Sequence, residues 1–454
     1  MRTRLVMSLL GLVLFTGGVP AVAAPLHATP GISHGVPGDQ PLPGYTVNNP
    51  PLKPEIVDGQ PTRVLQGIHQ HSAYIVEVPA KWNGRLAMWA HGYRGTGTVL
   101  TVDPPAYGLR ARMLGQGYAW AASSYYSNGY DVRAGVLATH DLAKHFGRLV
   151  AKPKQVLIAG VSMGGHIIGR SLEQYPGFYD GALPMCGVLG DHELFDFFLD
   201  YQLTAQALAG ERAYPVPPDY LTTVVPRIQE KLGLSTLVPG GPDTVTDRGA
   251  QFRAVVVERS GGPRPGATPA FAFWKDFLFS LAAPPDEDAP LARDPGRLAT
   301  NLGTRYEPNT PVDLNREVQR VAPRDWRTRL SPALTEIPRI AGKPRVPVLS
   351  LHGLGDLFVP FSMEQDYRTD VARNGQSKWL VQRAIRTVDH CEFSPAEAGA
   401  AWNDLVTWTS RGTKPAGDVI GDRNTVAAPT FGCRFSDPTA YNGPGTRRFF
   451  SPCP

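Results

Sequence analysis

The run Leu157-Ile158-Ala159-Gly160-Val161-Ser162-Met163-Gly164-Gly165-His166 constrains this chain more than any other stretch. Apolar residues climb into Gly160-Val161-Ser162-Met163-Gly164, and a helix-like sequence follows over 163–175. A Gly-x-Ser-x-Gly match between a strand and a helix predicts a sharp turn with the serine exposed at the head of the helix. Side chains flanking the serine would collide with the neighbouring strand and helix, and glycine two residues before and two after removes those Cβ atoms. Ser162 is thus the candidate nucleophile. The N–H of Met163 would point at a developing oxyanion, helped by the positive end of the helix.

A serine hydroxyl attacks poorly until a base takes its proton, and the base needs an acid to hold its tautomer and orientation. The chain offers both downstream. A predicted strand over 346–351 runs into His352-Gly353-Leu354-Gly355-Asp356-Leu357-Phe358-Val359-Pro360, which sets Asp356 just past a strand end. A strand over 379–384 is followed by Val388-Asp389-His390-Cys391-Glu392-Phe393, with His390 in the loop before the final helix. Of the 11 histidines, His390 alone follows the last core strand. Asp389 competes for the role of acid. A chain neighbour, however, rarely brings its carboxylate onto the next residue's Nδ1, so Asp356 ranks first. The early strand 85–90 ends in His91-Gly92-Tyr93-Arg94-Gly95, and the N–H of Tyr93 is the expected second oxyanion donor. His91 is expected to hold this loop by hydrogen bonds and stands as a candidate on the edge of the substrate pocket.

The rest of the pattern predicts a doubly wound, mostly parallel α/β sheet. Strands over 72–78, 85–90, 118–123 and 155–159 alternate with helices over 109–114 and 133–150. After Gly187 the rhythm changes to helical stretches over 193–209, 220–232, 246–259 and 271–281, separated by Pro/Gly-rich connections. It resumes after Arg345, with helices over 362–373 and 395–410. The expected organisation is an extended arm over 24–65, a core over 66–187 and 341–412, a mainly helical cap over 188–340, and a Cys-containing tail over 413–454. The stretch Phe271-Ala272-Phe273-Trp274-Lys275-Asp276-Phe277-Leu278-Phe279 is too apolar for a surface helix. Phe273, Trp274 and Phe277 are therefore candidates for an apolar acyl or aryl pocket above Ser162.

Residues 1–23 have the pattern of a secretion signal. Arg2 and Arg4 precede an apolar run over 5–19 and the small residues Ala21-Val22-Ala23. That run is broken by Gly17, Gly18 and Pro20 and is short for a membrane anchor. An exported protein is expected. Without the two arginines the formal charge of +5 falls to +3, which argues for neither a nucleic-acid partner nor a membrane surface. In an exported chain the four cysteines suggest disulfides with three possible pairings. Cys433–Cys453 would close a short loop in the tail and leaves Cys186 and Cys391 to pair with each other or stay as buried thiols.

These residues together resemble the α/β-hydrolase superfamily, and among it the exported bacterial members with a large helical cap between strands six and seven. The matching positions are His91-Gly92, Gly160-Val161-Ser162-Met163-Gly164-Gly165, Asp356 with Val359-Pro360, and Asp389-His390-Cys391-Glu392-Phe393. The resemblance covers about 66–187 and 341–412. It implies a Ser162–His390–Asp356 mechanism through an acyl-enzyme, with no metal or organic cofactor. The expected substrate is a small-molecule or oligomeric ester, with amides or peptides as the rival class. A peptidase that reads a free amine would use acids in the cap, and Glu193, Asp196 and Asp200 fall there at helical spacing. A non-catalytic binding protein on the same scaffold is the rival from another class. The pairs His69/His71 and His140/His145 lack a third ligand nearby, so no metal site is expected.

Overall fold

Along 85–90 the side chains alternate between two faces. Leu86 and Met88 lie on one side, Ala87 and Trp89 on the other, and all four are buried. A strand buried on both faces belongs inside a sheet covered by helices above and below. The computed structural model, which describes residues 37–453 apart from Pro444, builds that sheet from eight strands. They are β1 (Arg63–His69), β2 (Ser72–Val78), β3 (Arg85–Ala90), β4 (Ala119–Ser123), β5 (Gln155–Val161), β6 (Gly181–Met185), β7 (Val348–Gly353) and β8 (Leu380–Ile385). Their spatial order is 1-2-4-3-5-6-7-8. β2 is antiparallel to both β1 and β4, and every other pairing is parallel.

Helices α1 (Leu109–Gly115), α2 (Val132–Leu149) and α3 (Met163–Gln174) follow β3, β4 and β5. Between β6 and β7 the chain leaves the sheet for residues 186–347. This segment holds α4 (Glu193–Ala209), α5 (Val225–Leu232), α6 (Asp247–Arg259) and α7 (Ala267–Ser280). α8 (Ser362–Arg373) follows β7 and α9 (Pro395–Arg411) follows β8. The inserted helices share one continuous apolar cluster with the α2/α3 face of the sheet. The α1/α9 face has its own cluster around Trp120, Trp402 and Met113.

The expected elements recur with small shifts that have local causes. The helix expected over 220–232 opens as a π-helical turn, Tyr220–Val224, because Pro226 cannot donate to the first α-helical turn. The helix expected from residue 271 begins at Ala267, where Gly266 at φ 79° makes the entry. Residues 63–65, expected at the end of the arm, already belong to β1. Cys433–Cys453, which closes a loop within the tail, and Cys186–Cys391 are both disulfides. Among the described residues no helix is long and apolar enough to cross a membrane. The expected secretion signal, 1–23, lies outside the described residues.

Candidate active site

Ser162 occupies the junction of β5 and α3 with φ 56° and ψ −124°, a conformation that costs a non-glycine residue about 1–3 kcal/mol. The surrounding glycines make it possible. A Cβ on Gly160 would stand 2.3 Å from the Ala90 carbonyl oxygen, and one on Gly164 would stand 2.2 Å from it. One on Gly165 would meet Gly187 Cα at 2.3 Å. The serine N–H donates to the Met185 carbonyl (3.1 Å), and its own carbonyl accepts from Gly165 (2.8 Å). Met163 supplies the first amide of α3, one of the N–H groups a helix leaves without an internal partner.

Gly92 abuts the serine, since a Cβ there would lie 2.9 Å from Ser162 Cβ and 3.5 Å from its Oγ. Tyr93, the next residue, borders the same cavity as Ser162. His91 turns away from that cavity, contrary to its expected place on the pocket edge. Its ring stacks on Tyr125 at 4.0 Å, with Nδ1 2.7 Å from the Gly92 carbonyl and Nε2 3.3 Å from that of Ser124. Burial, aided by the Arg94 charge, pushes the imidazole down to about 3. The neutral ring has one N–H, and the shorter contact assigns it to Nδ1.

Asp356 is fully buried in the turn after β7. Its Oδ1 accepts from the N–H groups of Phe358 (3.0 Å) and Val359 (2.9 Å), while Oδ2 lies 2.6 Å from Nδ1 of His390. Asp389, the competing acid, instead accepts from the backbone N–H of His390 (2.8 Å). A buried guanidinium, Arg264, donates to the Leu354 carbonyl in the same turn (2.6 Å). Burial lowers it to about 10, and the Asp356 charge works against that fall. His352 braces the turn from behind through Nε2 on the Val359 carbonyl (2.8 Å).

The far nitrogen of the His390 ring, Nε2, is 3.3 Å from Sγ of Cys391, which is bonded to Cys186. Among the described residues, Cys186, His390 and Cys391 are the group close enough to share an ion, and their two sulfurs are already bonded to each other. Of the other histidines read from sequence, His69 stacks on His145 at 3.8 Å and His140 on Tyr175 at 3.6 Å, while His71 Nδ1 lies 2.9 Å from the Gln40 carbonyl.

A cavity of about 290 Å³ opens over Ser162. Its walls are mainly apolar, with Phe195, Phe198 and Leu199 from α4 and Phe358 from the Asp356 turn. Tyr130 also borders it, its hydroxyl 3.3 Å from Nδ1 of His166, whose Nε2 donates to the Pro338 carbonyl (2.6 Å). Arg293, Asp294 and Arg324 form a charged portion of the lining.

Phe273, Trp274 and Phe277 do not line this cavity, which corrects the sequence expectation. Helix α7 instead backs the turns that carry Asp356 and His390. The Trp274 indole N–H donates to the carbonyls of Gly355 (3.1 Å) and Val388 (2.9 Å). Phe277 packs edge-on against Phe358 at 4.8 Å, and Phe358 against the His390 ring at 5.0 Å. The wall comes from the apolar side of α4, whose residues 194, 195, 198 and 199 recur at helical spacing. That periodicity was available in the sequence, beside the acids on the same helix.

Those acids do not line the cavity. Asp196 is held by Arg329 (2.6 Å), and burial pushes its carboxyl up to about 7. Asp200 is held by Arg259 (2.8 Å) and accepts from the Tyr306 hydroxyl (2.6 Å). Glu193 is exposed.

No protein-family model matches the chain. An o-phthalyl amidase from Xanthobacter agilis is 23% identical over 425 residues, covering 81% of this chain and 91% of the amidase. Among solved structures, an esterase from Aspergillus oryzae aligns with 78% of this chain and 81% of its own, at 13% identity and a TM-score of 0.47. Feruloyl esterase B from Aspergillus oryzae aligns with 80% and 84%, at 14% identity and a TM-score of 0.42. The strand order, with β2 reversed and the helical insertion after β6, together with the glycine-flanked serine between β5 and α3, gives this chain the α/β-hydrolase fold.

Proposed function

We propose that this chain is an exported serine hydrolase that cleaves carboxylic esters with a small to medium apolar acyl part. The observation that carries the reading is the 2.6 Å contact of His390 Nδ1 with buried Asp356, beside an apolar cavity that ends on Ser162. In this reading His390 Nε2 takes the Ser162 hydroxyl proton as Oγ bonds to the acyl carbon. Asp356 stabilises the imidazolium that results. The N–H groups of Met163 and Tyr93 hold the oxyanion. The tetrahedral adduct expels the leaving group, which takes the proton from His390. Water then repeats the sequence on the acyl-enzyme and releases the acid. The substrate is a small molecule or an oligomer, with no nucleic-acid or membrane partner and no cofactor. Two disulfides and the N-terminal pattern support export.

The amidase relative favours a second reading, in which the same residues cleave an amide. An aminopeptidase is disfavoured, because Asp196 and Asp200 are committed to arginines and lie outside the cavity lining. The deciding experiment compares p-nitrophenyl esters with p-nitroanilides of matched acyl groups, for wild type and Ser162→Ala. Ester turnover that falls by about 10⁶ in the variant is the expected result. Efficient anilide cleavage would move the assignment to an amidase, and near-normal turnover in Ser162→Ala would remove the serine mechanism.

A further inference from the structure

The chain after α9 has no expected role beyond a disulfide, yet it returns to the loop that carries His390. That loop, residues 386–394, joins β8 to α9. At its start the Arg386 N–H donates to Ser436 Oγ (2.8 Å), and the Arg386 guanidinium donates to the carbonyls of Phe431 (3.2 Å) and Ser451 (2.9 Å). In its middle the Thr446 hydroxyl oxygen accepts from two successive backbone N–H groups, those of Val388 (2.8 Å) and Asp389 (2.9 Å). These are the two residues immediately before His390.

The Thr446 hydroxyl donates in turn to the Glu392 carboxylate, which also accepts from the Thr446 N–H (3.0 Å) and from the Thr387 hydroxyl. At the end of the loop Arg447 donates to the Glu392 carbonyl (3.1 Å) and to both carboxylate oxygens of Glu397, each at 2.6 Å. Glu397 closes the capping box of α9 with Ser394. Thr446, Arg447 and Glu397 are all buried. Gly445 lets the tail approach this closely, since a Cβ there would overlap Glu392 Oε1.

A loop with this many backbone groups committed to one remote segment takes its conformation from that segment. We infer that the C-terminal tail is part of the catalytic apparatus, with Thr446 as the positioning residue that orients the His390 ring toward Asp356. The inference rests on the hydrolase reading above for its rate effect, but not for its geometry. Thr446 does not line the cavity over Ser162. It acts through the backbone of Val388 and Asp389.

The test compares Thr446→Val, which keeps the shape and removes the acceptor, with Thr446→Ser, which keeps the hydroxyl. Two quantities are measured: kcat and KM on a p-nitrophenyl ester, and the downfield NMR signal of the His390 Nδ1 proton, assigned with His390→Gln. Thr446→Val is expected to lower kcat about 10-fold with KM within twofold and to broaden or shift the ring proton. Thr446→Ser restores both. Should Thr446→Val fail to fold, Glu392→Gln weakens the same clamp and is expected to change both readouts in the same direction. A wild-type kcat, or an unchanged ring proton with only a lower Tm, overturns the inference. If the wild type hydrolyses nothing, the hydrolase reading fails separately and the ring proton alone decides the positioning role.

Discussion

Cys186 is bonded to Cys391, so the end of β6 beside Ser162 and the loop carrying His390 form one covalent unit. The serine N–H donates to Met185, the residue before Cys186, and the His390 ring rests on the sulfur of Cys391. Two loops far apart in the chain thereby meet without relying on packing alone.

This bond closes a separation of 205 residues, a large loop for the unfolded chain to forgo. Constraint of the unfolded state by a disulfide contributes about 2–4 kcal/mol. The double variant Cys186→Ala/Cys391→Ala should therefore unfold at lower denaturant, with a loss of that size, and its kcat should fall as the His390 loop loosens. Denaturant melts and ester assays on the same preparation check both. Unchanged turnover would make the bond a pure staple.

The two neighbouring acids separate cleanly by their partners. Asp356→Asn removes the acceptor of the Nδ1 proton and admits the wrong tautomer, so kcat should drop by about 10⁴. Asp389→Asn leaves Asp356 in place and keeps an oxygen for the His390 backbone N–H, so kcat should stay within about threefold. Steady-state kinetics of the two variants is the check, and the reverse ranking would reassign the acid.

The sheet was legible because its signals are local. Each strand is a short apolar run with a turn at its end, and the glycines around Ser162 announce the sharp bend. The meeting of Asp356 with His390 follows from chain order, since both sit at the C-terminal ends of adjacent strands, β7 and β8. The cavity wall was harder to read. It is assembled from α4, from segments near residues 281–299, and from Phe358, which periodicity cannot bring together. The aromatic run 271–279 misled for the same reason. Its composition shows that it is buried, but nothing local shows that Trp274 faces Gly355 and Val388. Thr446 carries no sequence signal, because its role depends on where a long tail returns.

Asp366 on α8 sets a pH dependence of stability. Burial, and next the neighbouring Glu193 carboxylate, push its carboxyl up to about 7, from 3.8 in the unfolded chain. The native state therefore binds the proton more tightly than the unfolded state does. That advantage is complete below about pH 4 and is lost as pH rises through 7. Its size is at most about 4 kcal/mol, and screening by solvent leaves roughly half. Asp366→Asn removes the titration, so the variant should match wild type near pH 4 and exceed it by about 2 kcal/mol at pH 8. Denaturant melts at the two pH values decide. Equal stability of the two proteins at pH 8 would show that the carboxylate is solvated.

Trp274 ties together the two turns on which the proposed acid and base stand. Its indole N–H is shared between the Gly355 carbonyl, next to Asp356, and the Val388 carbonyl, two residues before His390. Trp274→Phe keeps an aromatic ring in the buried site but leaves both carbonyls without this donor, at a cost of about 1–3 kcal/mol. The turns would then be free to shift relative to each other. A displacement of even about 1 Å at reacting groups can cost up to 10²-fold in rate. Thus kcat should fall by more than the loss of stability alone explains, with KM little changed, because α7 does not line the cavity. Kinetics on folded Trp274→Phe protein, with the folded fraction set by near-ultraviolet circular dichroism, separates the two effects. A variant that loses stability yet turns over like wild type would reduce Trp274 to a packing residue.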